Sequence, residues 1–161
     1  MSYPMTLPVG SLLYFDTGTD ATTPTWTKIS EHNRAAVSLD VDRIEKTQRM
    51  SNGLLRKIWI ADKKNISASW NNIPTYSTLT VDGGMGAEDI RAFYLNKGKG
   101  TFKVKISYNA VAARDEIIVA SFTSCSFTIS KRNVRDAAPR PGVTPPDAQE
   151  FWDVSLSLEE V

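Results

Sequence analysis

Apolar and polar residues alternate along much of this chain, with the two-residue period of β-strands that bury one face. Val37, Leu39 and Val41 alternate with Ser38, Asp40 and Asp42. Phe102, Val104, Ile106 and Tyr108 alternate with lysine and serine. Trp152, Val154, Leu156 and Leu158 alternate with Asp153, Ser155, Ser157 and Glu159 at the C-terminal end. Ser11–Asp16 and Trp26–Ser30 are shorter candidates. Glu116–Lys131 predicts a long strand whose apolar parity changes. Ile118, Ala120 and Phe122 share one face, while Cys125, Phe127 and Ile129 share the other. Such a switch predicts a bulge near Thr123-Ser124, or a strand that passes between two sheets.

Residues 36–70 predict one long β-hairpin or extended meander. Asn52-Gly53 marks the tip, because this pair tolerates the positive φ angles of tight hairpin turns. Ile66, Ala68 and Trp70 alternate again near its base. The part near the tip, RIEKTQRM against LLRKIW, carries too much charge to be a core element. A hairpin that leaves its own core points toward a partner. One helix is predicted, over about 86–97. Ile90, Phe93 and Tyr94 fall at helical spacing, Glu88-Asp89 come early, Lys97 comes late, and Gly98 is the stop.

The resulting organisation is a main β domain over 1–136, a proline-rich arm over 137–149, and a C-terminal strand over 150–161. The first ten residues read as an extended arm with two prolines. Proline cannot donate to a sheet and restricts its predecessor, so DAAPRPGVTPPD is a tether. The apolar face of the terminal strand needs a sheet, either its own or a neighbour's.

Composition narrows the functional classes. The chain has 161 residues, 41% hydrophobic and 23% charged, enough for a single domain with a full core. Its net charge of +1 argues against a dedicated nucleic-acid binder. Arg56-Lys57, Lys63-Lys64 and Lys131-Arg132 are short pairs rather than a basic stripe. Cys125 is the only cysteine, so no internal disulfide framework is expected. The N-terminal residues lack a signal-peptide pattern, and no apolar run reaches the ~20 residues of a membrane span. Synthesis in the cytoplasm and no membrane partner are the expectations.

Candidate chemistry is sparse. His32 is the only histidine, and it sits in the polar stretch SEHNR. A single His and a single Cys make neither a catalytic triad nor a metal set. Gly83-Gly84-Met85-Gly86 precedes the helix but fits neither phosphate-binding spacing, and it reads as a strand-to-helix turn. Lys97-Gly98-Lys99-Gly100 lacks the spacing of a P-loop. The carboxylate neighbours Glu88-Asp89, Asp115-Glu116 and Glu159-Glu160 diverge on any regular element. Asn65-Ile66-Ser67 fits the glycosylation triplet but follows no secretory signal. No catalytic residue, metal or cofactor is expected, and the chain does not read as an enzyme. Trp26, Trp59, Trp70 and Trp152 are mostly core candidates. Exposed and clustered, they would instead suit a carbohydrate- or receptor-binding β-sandwich, which is the alternative reading.

The order of elements, together with RIEKTQRMSNGLLRKIWIADKKNISASWNNIP (43–74) and TVDGGMGAEDIRAFYLNKGKGTFKVKI (80–106), resembles the tail-tube proteins of long-tailed bacteriophages. The resemblance implies a mainly β fold, an antiparallel sandwich or barrel of tail-tube type with one packed helix. It implies rings, commonly hexameric, whose inner strands join around a lumen and which stack into a tail tube or baseplate ring. Partners would be other copies, other tail proteins and DNA in transit, and the location the virion tail. The subunit contacts it implies are the hairpin residues Arg49, Met50, Asn52, Gly53, Leu54 and Leu55. Trp152, Val154, Leu156 and Leu158 on the terminal arm are the others.

Overall fold

The computed structural model describes residues 12–108, 114–135 and 148–161. The N-terminal arm and most of the 137–149 tether fall outside these residues. The described chain is mainly β, with seven strands, one α-helix and one 3-10 turn. The strands are β1 (Leu13–Asp16), β2 (Trp26–Lys28), β3 (Ser38–Arg49), β4 (Leu55–Pro74), β5 (Phe102–Ile106), β6 (Glu116–Arg135) and β7 (Ala148–Glu160). The helix α1 spans Ala87–Leu95, and a 3-10 turn follows over Lys97–Lys99.

All seven strands form one sheet in the order β2-β1-β5-β6-β7-β4-β3, and every listed strand pairing is antiparallel. The sheet cannot be flat. In a flat sheet β1 and β4 would lie four strand spacings apart, roughly 19 Å. Yet Ile29 donates its amide to Leu13 of β1 at 3.0 Å. The carbonyl of the next residue, Ser30, accepts the indole N–H of Trp70 on β4 at 2.7 Å. The Ala35 amide then reaches Ser69 of β4 at 2.9 Å. One short stretch of chain thus touches both ends of the sheet, which must roll over on itself.

The core fills the roll. Alternation puts Leu13, Phe15, Val104, Ile106, Ile66, Trp70, Val154, Leu156 and Leu158 inside, each at most 1% exposed. Helix α1 covers the concave side with Ala87, Ile90 and Phe93. Phe93 stacks on Phe15 at 4.7 Å and meets Phe102 edge-on at 5.0 Å. Asp89 fastens the helix start, its carboxylate accepting from the Gly86 and Ser77 amides at 3.1 and 2.9 Å. Thr123 is the extra residue of a bulge, since Phe122 faces Leu158 and Ser124 faces Ser157. The bulge returns Cys125 and Phe127 to the core side that Ile118 and Ala120 already occupy.

The terminal strand settles where its apolar face goes. β7 starts at Ala148 and lies in the middle of its own sheet, between β6 and β4. Trp152, Val154, Leu156 and Leu158 are 8%, 1%, 1% and 1% exposed. They are core residues of this subunit, and the expectation that they contact a neighbour is corrected accordingly. Burying a Leu-sized side chain contributes about 1.5–3 kcal/mol, and the nearest concave surface is the chain's own.

Candidate subunit interface

The hairpin behaves differently from the rest of the sheet. β3 pairs with β4 from Ser38↔Ser67 to Arg49↔Leu55. All twelve residues of β3 are exposed, and so are Leu55–Ile60 of β4. Among the described residues, nine of the sixteen exposed large apolar side chains lie between Leu39 and Ile60. Soluble surfaces scatter such residues singly, whereas a contiguous group marks a contact surface.

At the tip, the Gly53 amide donates to the Met50 carbonyl at 2.9 Å, and the Met50 amide to Leu54 at 2.8 Å. Gly53 has φ +82°, the left-handed region that a hairpin loop needs here. The Asn52 side chain accepts from the Leu54 amide at 3.1 Å, and Arg49 donates to the Gly53 carbonyl at 3.2 Å. The structure therefore brings Arg49, Met50, Asn52, Gly53, Leu54 and Leu55 together in one loop. Met50, Leu54 and Leu55 point their apolar surface into water, at 50%, 63% and 59% exposure.

Further down, Ile44 faces Ala61 and Glu45 faces Trp59, so Ile60 is an extra residue in β4. Residues directly opposite share a face. One face carries Val41, Arg43 and Glu45 with Lys64, Asp62 and Trp59. The other carries Asp42, Ile44 and Lys46 with Lys63, Ala61 and Ile58. Arg43 pairs with Asp62 at 2.9 Å and Lys57 with Glu45 at 2.7 Å. Hydrogen bonds from Arg43 and from the Trp59 indole hold the Asp62 carboxyl below its ordinary pKa. These exposed pairs contribute little to stability but fix the register of the two strands. Ile58, Trp59 and Ile60 were not singled out as contacts by sequence reasoning, although the poorly alternating run LLRKIWI is the signal that flags them.

The convex side of β6, β7 and β4 is chemically different. Ser124, Ser157, Ser67 and Ser38 stand opposite one another across four strands, and Ser126, Ser155 and Ser69 form the next row. This face is lined by hydroxyls and holds no large apolar side chain along those rows.

The other candidates resolve into structural roles. His32 accepts the Val81 amide through Nδ1 at 3.3 Å. Asp82, just before the glycine turn, takes the Ser30 hydroxyl at 2.9 Å, the Glu31 amide at 2.8 Å and the Gly84 amide at 3.1 Å. Burial pushes its pKa up, but these hydrogen bonds outweigh it and leave the carboxyl below the ordinary value. Asp82 thereby ties the β2–β3 crossover to the approach to α1, a role sequence reasoning missed. The turn needs its glycines: a Cβ on Gly84 would lie 2.6 Å from the Ser30 backbone, and one on Gly86 2.6 Å from the Thr75 carbonyl. An open groove beside α1 is lined by Thr17, Asp89, Phe93, Asn96 and Lys97. The Lys97 ammonium donates to the Asp16 and Gly18 carbonyls, and Asp89 caps the helix. Burial pushes the Cys125 thiol up to about 12, the environment of an inert core thiol. Among the described residues no three His, Cys, Asp or Glu side chains gather in a metal-binding group. Trp70 and Trp152 are in the core, Trp26 flanks the Lys105 ammonium at 5.2 Å, and only Trp59 stands open at 60% exposure.

No family model and no curated protein matches the chain. Among solved structures it is similar to a chain of the tail of an empty GTA (gene transfer agent) particle, refined helically with C6 symmetry. The TM-score is 0.52 at 11% identity, over 94% of this chain and 90% of the other. The chain has a phage-tail-like fold. Its antiparallel sheet and single helix agree with the mainly β architecture expected from the sequence.

Proposed function

We propose that this chain is a structural subunit of a phage-type tail, which associates with copies of itself into rings of six. The rings stack as a tail tube or a tube-like baseplate ring through which DNA passes. The hairpin carries the proposal: twelve consecutive exposed residues of β3 and an exposed apolar stretch of β4 on a projecting two-stranded element. Such an element is marginal alone, because a two-stranded hairpin buries too little apolar surface. It becomes worthwhile when a neighbouring copy covers Leu54, Leu55, Ile58, Trp59 and Ile60. The C6 tail particle that shares the fold supports the ring stoichiometry. The serine rows suit a lumen wall, because short neutral hydroxyls provide no fixed cations on which DNA phosphates would stall.

Electron microscopy and light scattering of the purified chain test this reading. Rings or tubes are expected at high concentration, and Leu55→Ser with Trp59→Ser should abolish them while the monomer keeps its thermal stability. A chain that stays monomeric at high concentration, alone and beside other tail proteins, would overturn it.

A further inference from the structure

The outer edge of β3 has no strand beside it. Among the described residues β3 pairs with β4 alone, over a length of twelve residues. An unpaired edge of that length is a template for another strand. The opposite edge of the sheet, β2, is only three residues long.

The sequence ahead of β1 has the chemistry to cover that edge. Tyr3, Met5, Leu7 and Val9 alternate with Ser2, Pro4, Thr6 and Pro8. In an extended strand, successive N–H groups point toward opposite edges. Pro4 and Pro8 are both at even positions, so both missing donors fall on the same edge. The amides of Tyr3, Met5, Leu7 and Val9 all fall on the other. A strand of this kind pairs on one side only, and its prolines block further addition on the far side.

The fold delivers this segment to the right place. The Leu12 amide donates to Glu31 Oε1 at 2.8 Å, and Glu31 pairs with Arg34 at 3.2 Å. Arg34 is bridged to Trp70 of β4, and the residues that follow it lead into β3. The chain before Leu12 therefore departs beside the entrance to β3. Five antiparallel pairings separate β1 from β3 in the sheet, so the two strands run in opposite senses. At ~3.4 Å per residue, residues 3–11 reach about 30 Å, most of the roughly 40 Å length of β3.

We propose that residues 3–9 add to the outer edge of β3 in the same chain, as an antiparallel strand that uses the odd-numbered amides. The hairpin then has three strands, the number at which a sheet becomes independently stable. Its long edge is closed by prolines, and contacts between copies run through the hairpin's faces and tip. This inference does not depend on the ring proposal, since it concerns a single copy.

Hydrogen exchange read by mass spectrometry on peptides spanning 38–49 tests it, comparing the full chain with Thr6→Pro and Leu7→Pro. Both substitutions lie outside the core, so folding is not at stake, and peptides from β7 serve as the internal control. The expected result is slow exchange in the full chain and in Thr6→Pro. In Leu7→Pro, which removes an inward donor, exchange across 38–49 should rise at least ~10-fold, with β7 unchanged. Equal exchange in all three proteins would overturn the proposal, as would equal disruption by the two prolines. Protection that disappears on dilution would overturn it too, because the covering strand would then come from a second copy.

Discussion

The distal hairpin and the C-terminal strand look alike in the sequence but meet opposite fates. Leu54–Ile60 and Trp152–Leu158 are both rich in apolar residues, and both read as surfaces for a neighbour. In the structure Val154, Leu156 and Leu158 are 1% exposed, whereas Leu55, Ile58 and Trp59 are 59%, 48% and 60% exposed. The difference lies in what surrounds each strand. β7 has a hydrogen-bonded strand on both sides and the concave core beneath it. The hairpin beyond Ala61 has only its own partner strand. Apolar content alone does not distinguish a core from an interface; the number of neighbours an element has inside its own chain does.

The comparison is broken most severely in the core. Leu156→Ala should destabilise the isolated chain by about 3 kcal/mol, as a buried leucine truncated to a cavity does. Leu55→Ala should change it by no more than about 0.5 kcal/mol. Urea unfolding of both variants checks this, and equal losses would mean the hairpin is folded into the body after all.

Acid sharpens the contrast next. Asp82 belongs to the body, and its folded pKa lies below the ordinary carboxyl value despite burial, because the Glu31 and Gly84 amides and the Ser30 hydroxyl bind the charged form. A depressed folded pKa contributes stability that is present above the unfolded value of about 3.9 and is lost as pH falls through the folded one. The wild type should therefore lose stability below about pH 4. Asp82→Asn should be weaker at neutral pH and show a flatter acid limb, as seen by thermal unfolding across pH.

A smaller effect is expected at the tip. Gly53 has φ +82°, and a Cβ there would meet nothing within 4 Å. Gly53→Ala should cost about 1 kcal/mol purely through backbone strain. Gly84→Ala should cost more, because its Cβ would strike the Ser30 backbone at 2.6 Å. Thermal unfolding of the two variants separates the effects, and the reverse order would contradict the placement of the glycine turn.

Much of the fold was legible in the sequence because it depends on local chemistry. Period-two alternation placed β1, β3, β5 and β7, and Asn52-Gly53 placed the turn. The parity switch in Glu116–Lys131 placed the Thr123 bulge, and the Ile90, Phe93 and Tyr94 spacing placed α1, a turn shorter than the 86–97 expected. Five of the proposed contacts at the tip, from Arg49 to Leu54, were legible because loop residues with special φ and unmatched apolar side chains stand out against a charged background. Trp59 and its neighbours were harder to read, because an apolar run without clean alternation fits a buried strand equally well.

The tertiary structure alone decided which apolar face is spent inside the subunit. Alternation tells which side of a strand is apolar but not what covers it, since that depends on strand order, and strand order is set by pairings between residues far apart in the chain. The insertion of β7 between β6 and β4 turned Trp152, Val154, Leu156 and Leu158 from contact candidates into core. The roll of the sheet, held by Trp70 on Ser30 and Ile29 on Leu13, likewise joins segments that no local pattern connects. What the roll leaves uncovered is the hairpin, and there the sequence and the structure point to the same surface.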